Sequence, residues 1–293
     1  MATLDRDSLF SVAGLVAVVT GGGTGIGLMM AKALEKNGAT VYIVGRRFDV
    51  LQKAANENST HGKIIPLQGD VSSKESLLSV VSAIKARTGY INLLVNNSGI
   101  MGNTIQDLPN AYPGSGKSVK ELQEYLWNSE SVEEFVNVFK VNLGGVWFGT
   151  IAFLELLEEG NKPGRGVAGV TSQVITISSI EGFRRDSKPL TVPYNLSKIA
   201  ATQLGKTLSN ILVDYDIRSN VIAPGLYPSE MSDGVIDAQT ATVPKEIVPM
   251  RRPGTELDMG GLILYLASRA GAYSSGSVYL SDGARLGLFP NSY

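Results

Sequence analysis

Cysteine is absent from the 293-residue chain, and histidine occurs once, at His61. The first absence excludes disulfides, thiolate nucleophiles and thiolate metal sites. The second excludes multi-histidine metal sites and a Ser-His-Asp triad. His61 lies in the polar run Asn56-Glu57-Asn58-Ser59-Thr60-His61-Gly62 and reads as a surface loop residue. An excess of one charge is missing too, with 26 Lys and Arg against 27 Asp and Glu. The basic residues are scattered, so nucleic-acid binding is not expected. No uninterrupted apolar run approaches the roughly 20 residues that span a bilayer. Asp5, Arg6 and Asp7 precede the first apolar stretch, which does not read as a secretory signal. The ending Asn291-Ser292-Tyr293 is not a peroxisomal address. The expectation is a soluble cytoplasmic protein.

What is present is an ordinary globular composition, 43% hydrophobic, able to bury a large core. Leu15 to Val19 is apolar throughout, as befits a strand buried on both faces of a parallel sheet. A helical pattern from Leu28 to Asn37 and a second strand, Thr40 to Val44, complete a βαβ unit. The alternation continues. Strands are expected at Lys63–Leu67, Ile91–Val95, Val174–Ile177, Arg218–Ile222 and Ser277–Leu280. Helices are expected at Ser73–Thr88, Val132–Glu158, Tyr194–Tyr215 and Leu257–Ser268. About seven strands interleaved with helices imply an α/β protein with one doubly wound parallel sheet and helices on both faces. The whole of 1–293 reads as a single domain. Two excursions, near 102–131 and 226–252, read as substrate loops inserted in it.

Thr20-Gly21-Gly22-Gly23-Thr24-Gly25-Ile26-Gly27 stands between the first strand and the first helix. Glycines permit a tight turn and close approach of the backbone to a pyrophosphate, and the helix N-terminus favours the anion. The strand–turn–helix setting is the context that such a motif needs. This is the pattern of a Rossmann dinucleotide site, with Gly21, Gly23, Thr24, Gly25, Ile26 and Gly27 as candidate contacts. NAD sites commonly place a carboxylate at the end of the second strand. Here that position reads Gly45-Arg46-Arg47. Guanidinium groups suit a 2′-phosphate, so NADP(H) is expected over NAD(H). The alternative is two solvated loop arginines.

Tyr194 and Lys198 are four apart on a helical pattern, hence on one face. Ser178-Ser179 ends the strand from Val174. Asn142 follows the first insertion. Asn96-Asn97-Ser98-Gly99 and Pro224-Gly225 stand after two further strands. Taken in this order with the glycine turn, these residues resemble the short-chain dehydrogenase/reductase family, from about Gly14 to Gly283. The stretch Pro224 to Met231 is similar to its 3-oxoacyl-carrier-protein-reductase-like and fungal tailoring branch. The resemblance implies an oxidoreductase acting on carbonyls or secondary alcohols. Tyr194 would exchange the proton with the substrate oxygen, and Lys198 would favour its phenolate and hold the nicotinamide ribose. Ser179 would stabilise the carbonyl oxygen, and Asn142 would hold a water in a proton relay. Ser178 and Ser179 compete for the serine role, and family pattern favours Ser179. Asp70 and Val71 would meet the adenine, and Asn97 and Gly99 would line the adenosine side. Pro224, Gly225, Tyr227 and Ser229 would lie near the nicotinamide. The serine-to-tyrosine spacing is two residues longer than the family's usual one, and Tyr227 replaces a smaller aliphatic residue and could shape the pocket.

Tyr112, Tyr125 and Trp127 in the first insertion suggest a medium-sized, hydrophobic ketone. Phe183 and Trp147 are further candidates, although core packing is their commoner use. Some family members are cofactor-binding regulators or catalyse non-redox steps, but they often lose the tyrosine–lysine–serine set that is complete here. A hydrolase lacks both a histidine and a Gly-x-Ser-x-Gly elbow. The resemblance also implies a homotetramer or homodimer, built through the two long helices.

Overall fold

The computed structural model describes residues 4–105, 118–186, 191–232 and 242–293. Strand β1, Val16–Thr20, is buried along its whole length. It starts a seven-stranded sheet with β2 (Thr40–Gly45), β3 (Ile64–Gln68), β4 (Leu93–Asn96), β5 (Gln173–Ile177), β6 (Arg218–Pro224) and β7 (Val278–Ser281), in the order β3-β2-β1-β4-β5-β6-β7. Every pairing is parallel. The central strands are fully buried, whereas β3 and β7 at the edges are only partly so. The edge placement of β3 explains its Pro66, since an edge strand has ladder positions that need no N–H donor.

Alternation along each strand divides the core between two faces. Ala17 and Val19 of β1 join Met30, Leu34, Met259 and Ile263 on one face. Val16 and Val18 join Leu77, Ile84, Phe153 and Leu157 on the other. The helices that supply these residues include α2 (Gly25–Lys36), α4 (Lys74–Arg87), α7 (Gly145–Gly160), α8 (Val192–Ile211) and α9 (Glu256–Ala267). Side chains of Ser73 and Thr255 accept N–H groups at the starts of α4 and α9, which sets those boundaries.

The structure corrects the sequence reading at four places. No element was expected at 48–58, where the chain forms α3, Phe48–Asn58. Its apolar side is only Leu51, Ala54 and Ala55, and the polar residues between them obscured the period. Within the first insertion lies α5, Val119–Trp127, opened by a capping box at Ser118. A short α1, Arg6–Phe10, was also unforeseen. The continuous helix expected from Val132 to Glu158 is instead α6 (Val132–Phe139), a π-helical turn (Lys140–Gly144) and α7. Gly145 is pressed against Val71, where a Cβ would stand 2.9 Å from Cγ2. The run Val132–Gly160 is long and apolar enough to cross a membrane, yet Phe153, Leu156 and Leu157 pack it against the sheet. Residues 106–117 and 233–241 in the two insertions and the stretch 187–190 lie outside the described residues.

His61 is exposed, in the loop anticipated for it. That loop is held by Glu35, whose carboxylate accepts the Ser59 hydroxyl at 2.7 Å and the N–H groups of Thr60, His61 and Lys63 at 3.0, 2.6 and 3.2 Å. Burial opposes the charged form, but these hydrogen bonds together hold the carboxyl below its ordinary value. Its stabilisation is therefore complete above the unfolded pKa and disappears as pH falls through the lower folded one. Glu35→Gln is expected to lower unfolding free energy by about 1–3 kcal/mol at neutral pH. The difference from the parent should vanish in acid, as followed by urea titrations at both pH values.

Candidate active site

The strand order reverses between β1 and β4, and ligands of open α/β sheets bind at such a switch point. The loops leaving these two strands are stitched together. The Thr20 hydroxyl accepts the N–H groups of Asn97 and Ser98 at 3.0 and 3.1 Å. The Asn97 amide donates to the carbonyls of Thr20 and Gly21 at 2.8 and 3.1 Å. Asn97, expected to line the adenosine side, thus spends its side chain bracing the glycine turn. Gly21 and Gly25 have φ of 64° and 50°, in the left-handed region that glycine enters without strain. A Cβ at Gly27 would fall 2.2 Å from the Gly21 carbonyl oxygen. The N-cap of α2, Thr24, makes no side-chain cap bond, which leaves the first N–H groups of the helix available to an anion. A dinucleotide pyrophosphate fits this end. Ile26 is in the first turn of α2, and Gly23 packs against Leu51 of α3.

Arg46 and Arg47 follow β2, as expected, but their surroundings differ. Arg47 Nη2 lies 3.0 Å from each carboxylate oxygen of Glu230, on the loop after β6. This exposed pair is worth only about 0–1 kcal/mol, so a phosphate can take the guanidinium over. Arg46 acts on Asp70, at the end of β3. There burial raises the carboxyl's pKa, but hydrogen bonds from Ser72 and the charges of Arg46 and Lys140 together bring it below its ordinary value. Val71, next to Asp70, is buried against Gly145.

At the other end of the crevice four elements meet. Asn142 sits in the π-helical turn, 1% exposed. Its Oδ1 accepts the Ile100 N–H at 2.8 Å, and its Nδ2 donates to the Ile100 carbonyl at 2.9 Å and to Ser197 Oγ at 2.9 Å. Both ends of the side chain are bonded to protein, which leaves the backbone carbonyl as the group that could hold the expected water. What it does is tie α8 to the loop after β4. A π turn inside a helix often marks a functional position, and here it aims Asn142 at Ile100. Gly99 lies beside this group. A Cβ there would stand 3.2 Å from Asn142 Oδ1 and 3.4 Å from Lys198 Nζ, so Gly99 borders the catalytic end.

Lys198 is buried, and its Nζ donates to the Ile177 carbonyl at 2.9 Å. It stands 5.6 Å from the centre of the Tyr194 ring. Ser197, unremarked in the sequence, donates to the Tyr194 carbonyl at 2.8 Å and so locks the turn of α8 that carries both residues. The adjacent serines point to different partners. Ser178 Oγ donates to the Lys198 carbonyl at 2.8 Å and is 2.6 Å from the Thr202 hydroxyl, deep against α8. Ser179 accepts the Glu181 N–H and hydrogen-bonds Tyr194. The alternation of a strand end separates the two, so only Ser179 is on the tyrosine side.

Burial raises the Tyr194 phenol to about 12, against the lowering effect of Ser179, and Glu181 adds to the rise. Burial also lowers the Lys198 ammonium to about 8. Tyr194 is thus a protonated acid at neutral pH in the protein alone, whereas the phenolate expected of it counts on Lys198 together with the positive nicotinamide ring of the oxidised cofactor.

Pro224 ends β6, and Gly225 follows where a Cβ would stand 2.6 Å from that of Asp282. Ser229 reaches back over the glycine turn, its Cβ 3.0 Å from where one on Gly25 would stand. Tyr227 corrects an expectation. It is 3% exposed within the core, its hydroxyl 2.6 Å from Ser281 Oγ and its ring filling the space that Gly254 leaves open. A tyrosine fits because Gly254 has no side chain, and it does not shape a pocket. Phe183 is likewise core, with Ile180, Ala223 and Leu286. Trp147, Tyr125 and Trp127 are exposed, and Tyr112 lies outside the described residues.

The short chain dehydrogenase family profile matches residues 15–240. The chain belongs to the short-chain dehydrogenase/reductase family. It is 49% identical to the short-chain dehydrogenase/reductase PhomF of Diaporthe leptostromiformis, over 97% of this chain and 96% of that one. It is 32% identical to an NADP-dependent (R)-specific alcohol dehydrogenase of Lentilactobacillus kefiri, over 92% and 96%. Among solved structures, the RhlG/NADP active-site complex of Pseudomonas aeruginosa superposes with a TM-score of 0.79 at 30% identity, covering 95% of this chain and 98% of that one. The protein is accordingly an oxidoreductase acting on CH–OH or C=O groups.

The two serines supply a test. Ser179→Ala is expected to lower kcat about 100-fold with little change in thermal stability. Ser178→Ala should keep most of the rate and lose about 1–2 kcal/mol of stability, because buried partners on α8 are left unsatisfied. Equal rate losses in the two variants would contradict this division.

Proposed function

We propose that this enzyme is an NADP(H)-dependent ketoreductase that converts a medium-sized, hydrophobic ketone to a secondary alcohol. The observation that carries the reading is the cluster of a protonated, half-buried Tyr194 with Ser179 at its hydroxyl and Lys198 beside its ring. The nicotinamide, when bound, supplies the hydride for the carbonyl carbon. The protein's share is the oxygen. Ser179 steadies the growing negative charge, and Tyr194 donates its proton to that oxygen. The Lys198 ammonium then limits the cost of the phenolate left behind. A phenol that keeps its proton at neutral pH is in the form that donation requires.

NADP(H) is favoured by Arg46 and Arg47 at the end of β2, where no carboxylate stands to meet a ribose hydroxyl. The superposing RhlG structure is an NADP complex, and the similar Lentilactobacillus kefiri alcohol dehydrogenase is NADP-dependent, in keeping with this reading. Exposed Tyr125 and Trp127 on α5 supply apolar surface for a hydrophobic substrate. Val132, Val136, Trp147, Phe148 and Ile151 leave an apolar strip exposed along α6 and α7, and Leu196 and Ile211 do so on α8. Such strips suit burial between copies, so a homotetramer is proposed.

Tyr194→Phe should cut NADPH-dependent ketone reduction by about 100- to 10,000-fold while NADPH binding, read by fluorescence, is unchanged. Near-normal turnover would end the proposal. The parent should bind NADPH more tightly than NADH, and Arg46→Ala or Arg47→Ala should weaken NADPH alone by about tenfold. A preference for NADH would reverse the cofactor assignment. Light scattering should give four protomer masses, and a monomer would refute the assembly.

A further inference from the structure

Beside Tyr194 lies a charged cluster that the sheet architecture does not require. β5 runs into a 3-10 turn, Ile180–Phe183, and Ser179 Oγ accepts the Glu181 N–H of that turn at 3.2 Å. The turn is pressed onto α8, where a Cβ at Gly182 would stand 2.7 Å from the Ile199 nitrogen. The segment 289–293 covers its other side. Arg185 N–H donates to the Pro290 carbonyl at 2.8 Å, and Ser292 N–H to the Phe183 carbonyl at 2.9 Å. Arg184 and Asn291 form an antiparallel bridge. The rings of Phe183 and Tyr293 meet edge to face, 5.1 Å between centres.

Arg184 is the hub. Its side chain is only 3% exposed, and a buried charge must be paired. Nη1 lies 2.7 and 2.9 Å from the two Glu181 oxygens. Nε donates to Asp186 at 2.8 Å, and Nη2 makes a short ion pair with the same carboxylate. The Phe289 ring lies 3.8 Å from the guanidinium carbon and 5.2 Å from that of Arg285. The groups acting on Tyr194 are thus Ser179 and Glu181 on the turn and Lys198 on its own helix. Arg184, Asp186, Arg285 and Asp282 stand behind Glu181.

We propose that Arg184, locked in place by 289–293, is a positioning residue that keeps Glu181 paired, so that Tyr194 donates its proton next to a neutralised carboxylate. An unpaired Glu181 would oppose the phenolate. Removing its charge would favour it. The inference rests on the reading of Tyr194 as the proton donor.

The higher of two alkaline steps in the pH profile of kcat/KM for ketone reduction reads the effect, the lower step, at about 8, belonging to Lys198. Arg184→Gln should move the higher step up by about half a unit to one unit, and Glu181→Gln down by a similar amount. The double variant should return it close to the parent, a rescue that a merely structural role would not give. Deleting 289–293 should act in the direction of Arg184→Gln. An unmoved higher step in Glu181→Gln, which keeps the fold's buried arginine paired to Asp186, overturns the proposal. So does a double variant that stays with Arg184→Gln. A second readout needs no turnover. The phenolate fraction of Tyr194 at about pH 12, near its midpoint, from 13C-tyrosine NMR assigned with Tyr194→Phe, should rise in Glu181→Gln and fall in Arg184→Gln. If the phenolate responds but no ketone is reduced, the ketoreductase reading fails and the role of Arg184 stands. If ketones are reduced and neither readout moves, the role of Arg184 fails alone.

Discussion

A parallel sheet buried on both faces constrains everything else in this protein. Such strands cannot be joined by tight hairpins, so every connection must cross a face and re-enter at the same end. All strands therefore deliver their C-terminal ends to one edge. The glycine turn after β1, Arg46 after β2, Asp70 after β3, Asn97 and Gly99 after β4, Ser179 after β5 and Gly225 after β6 are neighbours for this reason. Residues more than two hundred positions apart in the chain meet there without any local cause. The hydrophobic cost of exposing Val16 to Val19 or Val221 and Ile222 is what holds the site together.

Within that frame, desolvation decides the chemistry. Tyr194 and Lys198 come from one turn of α8, yet their proton affinities move in opposite directions because burial penalises whichever form is charged. The phenol becomes a weaker acid and the ammonium a stronger one. Hydrogen bonding refines this. Ser179 pulls the phenol down, and Glu181 pushes it up. Asn142 contributes no charge. It holds Ile100 and Ser197 in register, so the gap between the β4 loop and α8 is fixed.

The same logic explains which sequence expectations needed correction. Tyr227 stands where a smaller residue is usual, and a pocket role followed naturally. The space was supplied instead by Gly254, 27 positions later in the chain, a compensation that only contact reveals. Asn97 and Gly99 looked alike as lining residues, but one braces the glycine turn and the other makes room for Lys198 and Asn142. Arg47 looked free for phosphate and is paired with Glu230 across the crevice. The helix at 48–58 escaped notice because its buried side has only three small or medium residues amid polar ones.

The order of strands, the glycine turn and the tyrosine–lysine pair were legible in the sequence, because each rests on local period or spacing, whereas Ser179 was favoured through the family resemblance. Apolar runs announce buried strands, and four positions on a helix place two side chains on one face. Tertiary structure alone decided which of two adjacent serines faces Tyr194, and that Asn142 is spent on the backbone of Ile100. It also decided that burial keeps the phenol protonated and that a buried Arg184 stands behind Glu181. Those are matters of distance and dielectric between segments remote in the chain, and no local pattern encodes them.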